Sequence, residues 1–178
     1  MTRFNRREFL GGCAAMAVAG GPAYAEEDDL RALGLSRPLI AIETPELGIA
    51  DLQGDIHRLD DYRGKTVIVS FWAAWCPPCR KELPTLARLR RQLGSDDFAV
   101  LAVNAGDRED RIRAFLEGID SDGLIVLADT KRTLSGTWFI KGLPVTYILN
   151  RSGQAVLTAI GDRIWDSPRM IAAIRSLG

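Results

Sequence analysis

The chain has little of the chemistry that metal sites need: three cysteines (Cys13, Cys76, Cys79) and one histidine (His57) in 178 residues. A structural zinc site takes about four such ligands. Its 23 basic side chains balance 23 acidic ones, which argues against a nucleic-acid surface or a basic membrane-binding face. No apolar run approaches the roughly 20 residues needed to cross a bilayer. Internal repeats and low-complexity tracts are also missing, which excludes solenoid architectures and long disordered arms.

The first residues read as an address. Asn5-Arg6-Arg7-Glu8-Phe9-Leu10 resembles a twin-arginine export signal. A Gly/Ala-rich, mildly apolar stretch follows from Gly11, and Ala23-Tyr24-Ala25 has the small-x-small pattern of a cleavage site. Residues 1–25 are therefore expected to be a signal peptide directing the chain to the periplasm, with cleavage after Ala25. Leu10-Gly11-Gly12-Cys13 has the look of a lipoprotein box, but its cysteine opens the apolar stretch instead of following it, so lipidation is not favoured. Removing the signal takes away Arg3, Arg6, Arg7 and Glu8 and leaves a slightly acidic chain of roughly 150 residues, enough for one domain with a core. Residues 26–38 read as an acidic, aperiodic leader, and residues 39–178 as the domain.

The informative stretch is Phe71-Trp72-Ala73-Ala74-Trp75-Cys76-Pro77-Pro78-Cys79-Arg80. It follows the β-branched run Thr66-Val67-Ile68-Val69 and opens a helix predicted to reach about Leu93. In that helix Leu83, Leu86, Leu89 and Leu93 share a side, and Gly94 is the stop. Two thiols separated by two residues at a helix start can exchange a pair of electrons with a disulfide. Cys76 is favoured as thiolate by the helix dipole, and is expected to be the more acidic and more accessible sulfur. Cys79, one turn on, can attack the mixed disulfide that Cys76 forms. The alternative, a structural staple, is weak: so small a loop yields only about 2 kcal/mol in the chain-entropy model.

The rest of the pattern alternates strands and helices. Leu47–Leu52 and Ile56–Leu59 read as a hairpin across Gly54-Asp55. Phe98–Asn104 reads as a strand buried on both faces. Asp107 is expected to cap a helix carrying Ile112, Phe115, Leu116 and Ile119. Leu124–Leu127 reads as a strand and Thr130–Thr137 as a helix. Val145–Leu149 pairs with Ala155–Ile160, and a last helix starts at Ser167-Pro168. The class is α/β with a mixed central sheet flanked by helices.

Phe71 to Pro84, with Gly142-Leu143-Pro144-Val145-Thr146 as the second element, resembles the thioredoxin superfamily, and within it the exported TlpA/ResA-like thiol-disulfide oxidoreductases. That resemblance implies a thioredoxin-like fold with an added N-terminal β-hairpin and a central α/β insertion. It implies that Cys76 attacks, that Cys79 resolves, and that Pro144 is a cis-proline facing them. Trp75, Pro77, Pro78, Leu143 and Pro144 would meet the substrate, the backbone of Leu143 bonding an extended segment, and Pro84 would kink the helix. Glu82 matches an acidic residue near the dithiol that could relay a proton. It reads equally well as a solvated first-turn glutamate. Many thioredoxins carry a buried aspartate six residues before the first cysteine, and here Ser70 stands there, which strengthens Glu82 as the proton acceptor.

Pro77 and Pro78 lack amide hydrogens, so a Cys76 thiolate has only the Cys79 amide and the dipole. A less stabilised reduced form makes a more reducing couple, nearer about −270 mV than about −120 mV. The chain is thus expected to reduce protein disulfides as a monomer, fed by a membrane thiol electron donor, with no cofactor beyond the Cys76/Cys79 dithiol and no metal. The resemblance suggests clients in cytochrome c-type biogenesis or in assembly of the cytochrome oxidase copper site. Two rivals share the fold: a thiol peroxidase, which would lack this paired WCPPC site, and a copper carrier of the Sco type, which would have a wider cysteine spacing and a histidine late in the chain. His57, the single histidine, precedes the dithiol on the hairpin. Trp72, Trp138 and Trp165 read as core, and Trp75 as an exposed docking platform.

Overall fold

The structure, a computed structural model, describes residues 22–38 and 42–177. The twin-arginine motif and Cys13 lie outside the described residues. Among the described residues no helix is long and apolar enough to cross a membrane.

The central strand β4 (Thr66–Trp72) is buried at every position because it carries side chains to two covered faces. It pairs in parallel with β5 (Phe98–Ala105), and β5 in parallel with β6 (Ile125–Asp129). On its other edge it pairs antiparallel with β7 (Val145–Leu149), which pairs antiparallel with β8 (Gln154–Ile160). A two-residue strand β1 (Ile42–Glu43) closes that edge, giving the order β1-β8-β7-β4-β5-β6. The short antiparallel pair β2 (Ile49–Ala50) and β3 (Ile56–His57) forms the N-terminal hairpin. A bridge from Asp51 to Leu127 attaches it to β6.

Alternation along β4 divides the core. Ile68 faces a cluster with Leu86, Leu89, Trp165, Met170 and Ile174, contributed in part by α2 (Pro77–Leu93) and α5 (Pro168–Arg175). Val67, Val69 and Phe71 face the opposite layer, with Leu101, Leu127 and Trp138. Ser167 caps α5 by accepting the Met170 amide hydrogen, with Pro168 in the first turn. Between β5 and β7 run α3 (Glu109–Leu116), β6 and α4 (Leu134–Thr137), the α/β unit that extends the sheet on its parallel side.

Three local expectations differ from the structure. The segment expected as an aperiodic leader holds helix α1 (Pro22–Ala32), and Leu30 and Leu35 are buried against Trp165 and its neighbours. Its acidic run concealed that these leucines pack on residues some 130 positions away. Asp107 does not cap α3: the capping position is Arg108, without a side-chain bond, because the Asp107 carboxylate is taken by Ala74. The helix expected over Thr130–Thr137 shrinks to the four residues of α4. Asp129 accepts the amide hydrogens of Thr133 and Leu134, which starts the helix late, after Arg132 at φ +56°.

Candidate active site

The last residue of β4, Trp72, is fully buried and packs at a tilt against Phe115 with ring centroids 5.3 Å apart. Beyond it the chain turns: the Cys76 amide donates to the Ala73 carbonyl at 3.1 Å. Cys76 takes the capping position of α2, with Pro77 and Pro78 in the first turn. Cys76 and Cys79 are joined in a disulfide with an S–S distance of 2.03 Å. The Cys79 amide donates to the Cys76 sulfur at 3.3 Å. With both intervening residues proline, it is the amide of this first turn that reaches that sulfur.

Exposure does not separate the two sulfurs as the sequence suggested. Cys76 is 2% exposed and Cys79 1%, packed among Ala73, Ala74, Leu83 and Leu143. What distinguishes Cys76 is its position at the cap, where the dipole and the Cys79 amide converge.

Two further segments complete the site. The Leu143–Pro144 peptide bond is cis. Pro144 is buried and its carbonyl accepts the Gly161 amide hydrogen at 2.9 Å, whereas the backbone of Leu143 bonds to no other described residue. Trp75 stands out from the surface, 54% exposed. Pro77 is exposed and Pro78 half-buried, while Pro84 sits inside α2, where its missing amide hydrogen removes one helical bond.

Glu82 is 2% exposed, beneath α2 against the sheet. Ser70 of β4 and Thr146 of β7 donate hydroxyl hydrogens to its Oε1 at 3.4 and 3.3 Å. Among the described residues Oε2 has no hydrogen-bond partner, and neither does the Trp165 indole nitrogen. Burial pushes the Glu82 carboxyl up to about 7; Trp165, the Arg163 backbone, Thr146 and Ser70 only partly offset it. Of the two readings of Glu82, the buried carboxylate is the one the structure holds.

A residue without a functional reading in the sequence also joins the site. Asp107, 5% exposed, accepts the Ala74 amide hydrogen at 2.6 Å and the Asn104 side-chain amide at 3.0 Å. Asn104 in turn accepts the Asp107 backbone amide hydrogen. This ties the end of β5 to the turn that presents Trp75 and Cys76. The sequence signal was an Asn-x-x-Asp spacing at a strand end, but its partner lies 33 residues upstream.

His57 is placed elsewhere. Its Nε2 and Nδ1 contact Asp51 Oδ2 at 3.0 Å and the Tyr62 hydroxyl at 2.5 Å, bracing the hairpin. Among the described residues no group of three His, Cys, Asp or Glu side chains is arranged to hold a metal ion.

A cystine at the start of the helix after the central strand, opposed by a cis-proline loop on this mixed sheet, defines a thioredoxin-like protein. The chain belongs to the AhpC/TSA family, whose model matches residues 40–156. It is similar to the thioredoxin-like protein YneN of Bacillus subtilis, 34% identical over 114 residues, covering 62% of this chain and 65% of that protein. It is similar also to the thiol-disulfide oxidoreductase ResA of Geobacillus thermodenitrificans, 33% identical over 110 residues, with 62% and 63% covered. The chain thus spans slightly under two thirds of the length of these relatives. Among solved structures, the pneumococcal exposed lipoprotein thioredoxin Etrx1 of Streptococcus pneumoniae superposes with a TM-score of 0.65. It is 28% identical, with 75% of this chain and 100% of that one covered.

Proposed function

We propose that this protein is an exported thiol-disulfide oxidoreductase that reduces disulfides in protein substrates. The observation that carries the reading is the Cys76–Cys79 disulfide at the cap of α2, the Cys79 amide on the Cys76 sulfur, beside a Leu143 backbone free to pair.

In the reduced protein the Cys76 thiolate attacks a substrate disulfide, forming a mixed disulfide and releasing one substrate thiolate. Cys79 gives up its proton and attacks the Cys76 sulfur. The mixed disulfide breaks, the second substrate thiolate leaves, and the Cys76–Cys79 disulfide remains; two electrons have passed to the substrate. Glu82, with its carboxyl near 7, is suited to take the Cys79 proton and return it on re-reduction. An extended substrate segment pairs its backbone with Leu143 next to Pro144, as an added strand does at a sheet edge. Trp75, Pro77 and Pro78 supply apolar contact around it.

The cycle needs no cofactor but does need a dithiol donor, and the export signal read in residues 1–25 places that donor in the membrane or beyond it. The reading makes the protein a monomeric periplasmic reductant, its clients being cysteine pairs of apocytochrome c or thiols of proteins that build the cytochrome oxidase copper site. ResA-type names among the relatives support the exchange chemistry. The test is trapping: Cys79→Ala expressed in the host should accumulate disulfide-linked partners on Cys76. No captured partner, together with no insulin reduction by the wild type, would contradict the proposal.

A further inference from the structure

Beside the disulfide lies a cleft of about 150 Å³ walled by Trp75, Arg132, Ser135, Lys141 and Leu143 among others, and no carboxylate contributes to its lining. Some surface arginines elsewhere are neutralised by carboxylates: Arg88 pairs with Asp166, Arg91 with Asp120 and Arg151 with Asp97. Arg132 and Lys141 have no ion-pair partner among the described residues. The carboxylates at the neighbouring strand ends are committed elsewhere. Asp107 holds Ala74, Asn104 and Arg111; Asp129 holds Thr133 and Leu134.

Arg132 is also placed, not merely exposed. Its backbone sits at φ +56°, a conformation rare for a side chain of this kind. Its stem crosses Gly106 so closely that a Cβ there would meet the Arg132 Cγ at 2.5 Å. Gly106, itself at φ +100°, is what lets the arginine lie flat beside the end of β5.

We propose that this cleft selects substrate disulfides flanked by acidic residues. A segment extended along Leu143 puts the residue neighbouring its attacked cysteine over the cleft. There Lys141 and Arg132 meet a carboxylate, while Trp75 covers an apolar neighbour. The inference rests on the exchange reading above and adds its substrate class. Charge complementarity of this kind acts chiefly on encounter and register, and is lost with salt.

The test uses three peptides with the same Cys-x-x-Cys disulfide and flanks of Asp/Glu, Ser or Lys, offered to wild-type protein reduced beforehand with dithiothreitol. The expected second-order rate constant of the single turnover falls in the order acidic, neutral, basic, spanning about tenfold at low ionic strength and converging at 1 M salt. R132E/K141E reverses the order, and K141E alone narrows it if the double variant misfolds. Equal rates for the three peptides in the wild type, or a spread as wide in K141E as in the wild type, overturn the inference alone. Wild-type protein that reduces none of them overturns the exchange reading and the inference with it.

Discussion

The Asp107 carboxylate and the Ala74 amide, 2.6 Å apart and buried, fasten the end of one central strand to the turn that leads into Cys76. Asp107→Ala leaves a buried amide hydrogen unpaired, a loss of about 1–3 kcal/mol. It also frees the turn carrying Trp75. Asp107→Asn keeps an accepting oxygen and should restore most of the exchange rate. Urea unfolding together with insulin-reduction rates checks both: recovery in the asparagine variant is expected, and equal loss in the two would show that the bond does not position the site.

Glu82 makes stability depend on pH in a defined direction. Its carboxyl is raised in the folded protein to about 7 from an ordinary 4.5, so the folded state holds its proton more tightly. That contribution is full below about pH 4.5 and is lost as pH rises through about 7, some 3 kcal/mol in total. Glu82→Gln should remove the slope. Urea midpoints of the oxidised protein at pH 5 and pH 8 are expected to converge in the variant relative to the wild type. An identical pH profile for the two would place the carboxyl in its ordinary range.

Helix α1 should matter to the fold. Leu30 is 5% exposed and belongs to the cluster around Trp165 and Met170. Leu30→Ala should therefore cost about 2–4 kcal/mol, visible as a lower denaturant midpoint. An unchanged midpoint would mean that this segment is not packed on the domain in solution.

Much of this was legible in the sequence where the signal is local. The β-branched run of β4, the leucine spacing of α2 with its Gly94 stop, and the Ser167-Pro168 start of α5 each specify their own structure. The dithiol and the Leu143-Pro144 loop could be found as short motifs. What escaped depends on residues far apart in the chain. Glu82 stayed ambiguous because its burial is supplied by Thr146 and Trp165, and Asp107 looked like a helix cap because its partner lies on another strand's exit. The acidic run Glu26–Asp29 within α1 hid two leucines, Leu30 and Leu35, whose partners are on α5 and the loop before it. Equal cover over both cysteines was likewise invisible, since it comes from the sheet, the turn and Leu143 together.

The central claim is that Cys76, capped by the Cys79 amide, is the sulfur that attacks. The direct measurement is to reduce the protein, alkylate it briefly with iodoacetamide across pH 5 to 9, and locate the label by mass spectrometry. Modification of Cys76 ahead of Cys79 at the acidic end is predicted; earlier labelling of Cys79, or no labelling of either under native conditions, would contradict the account.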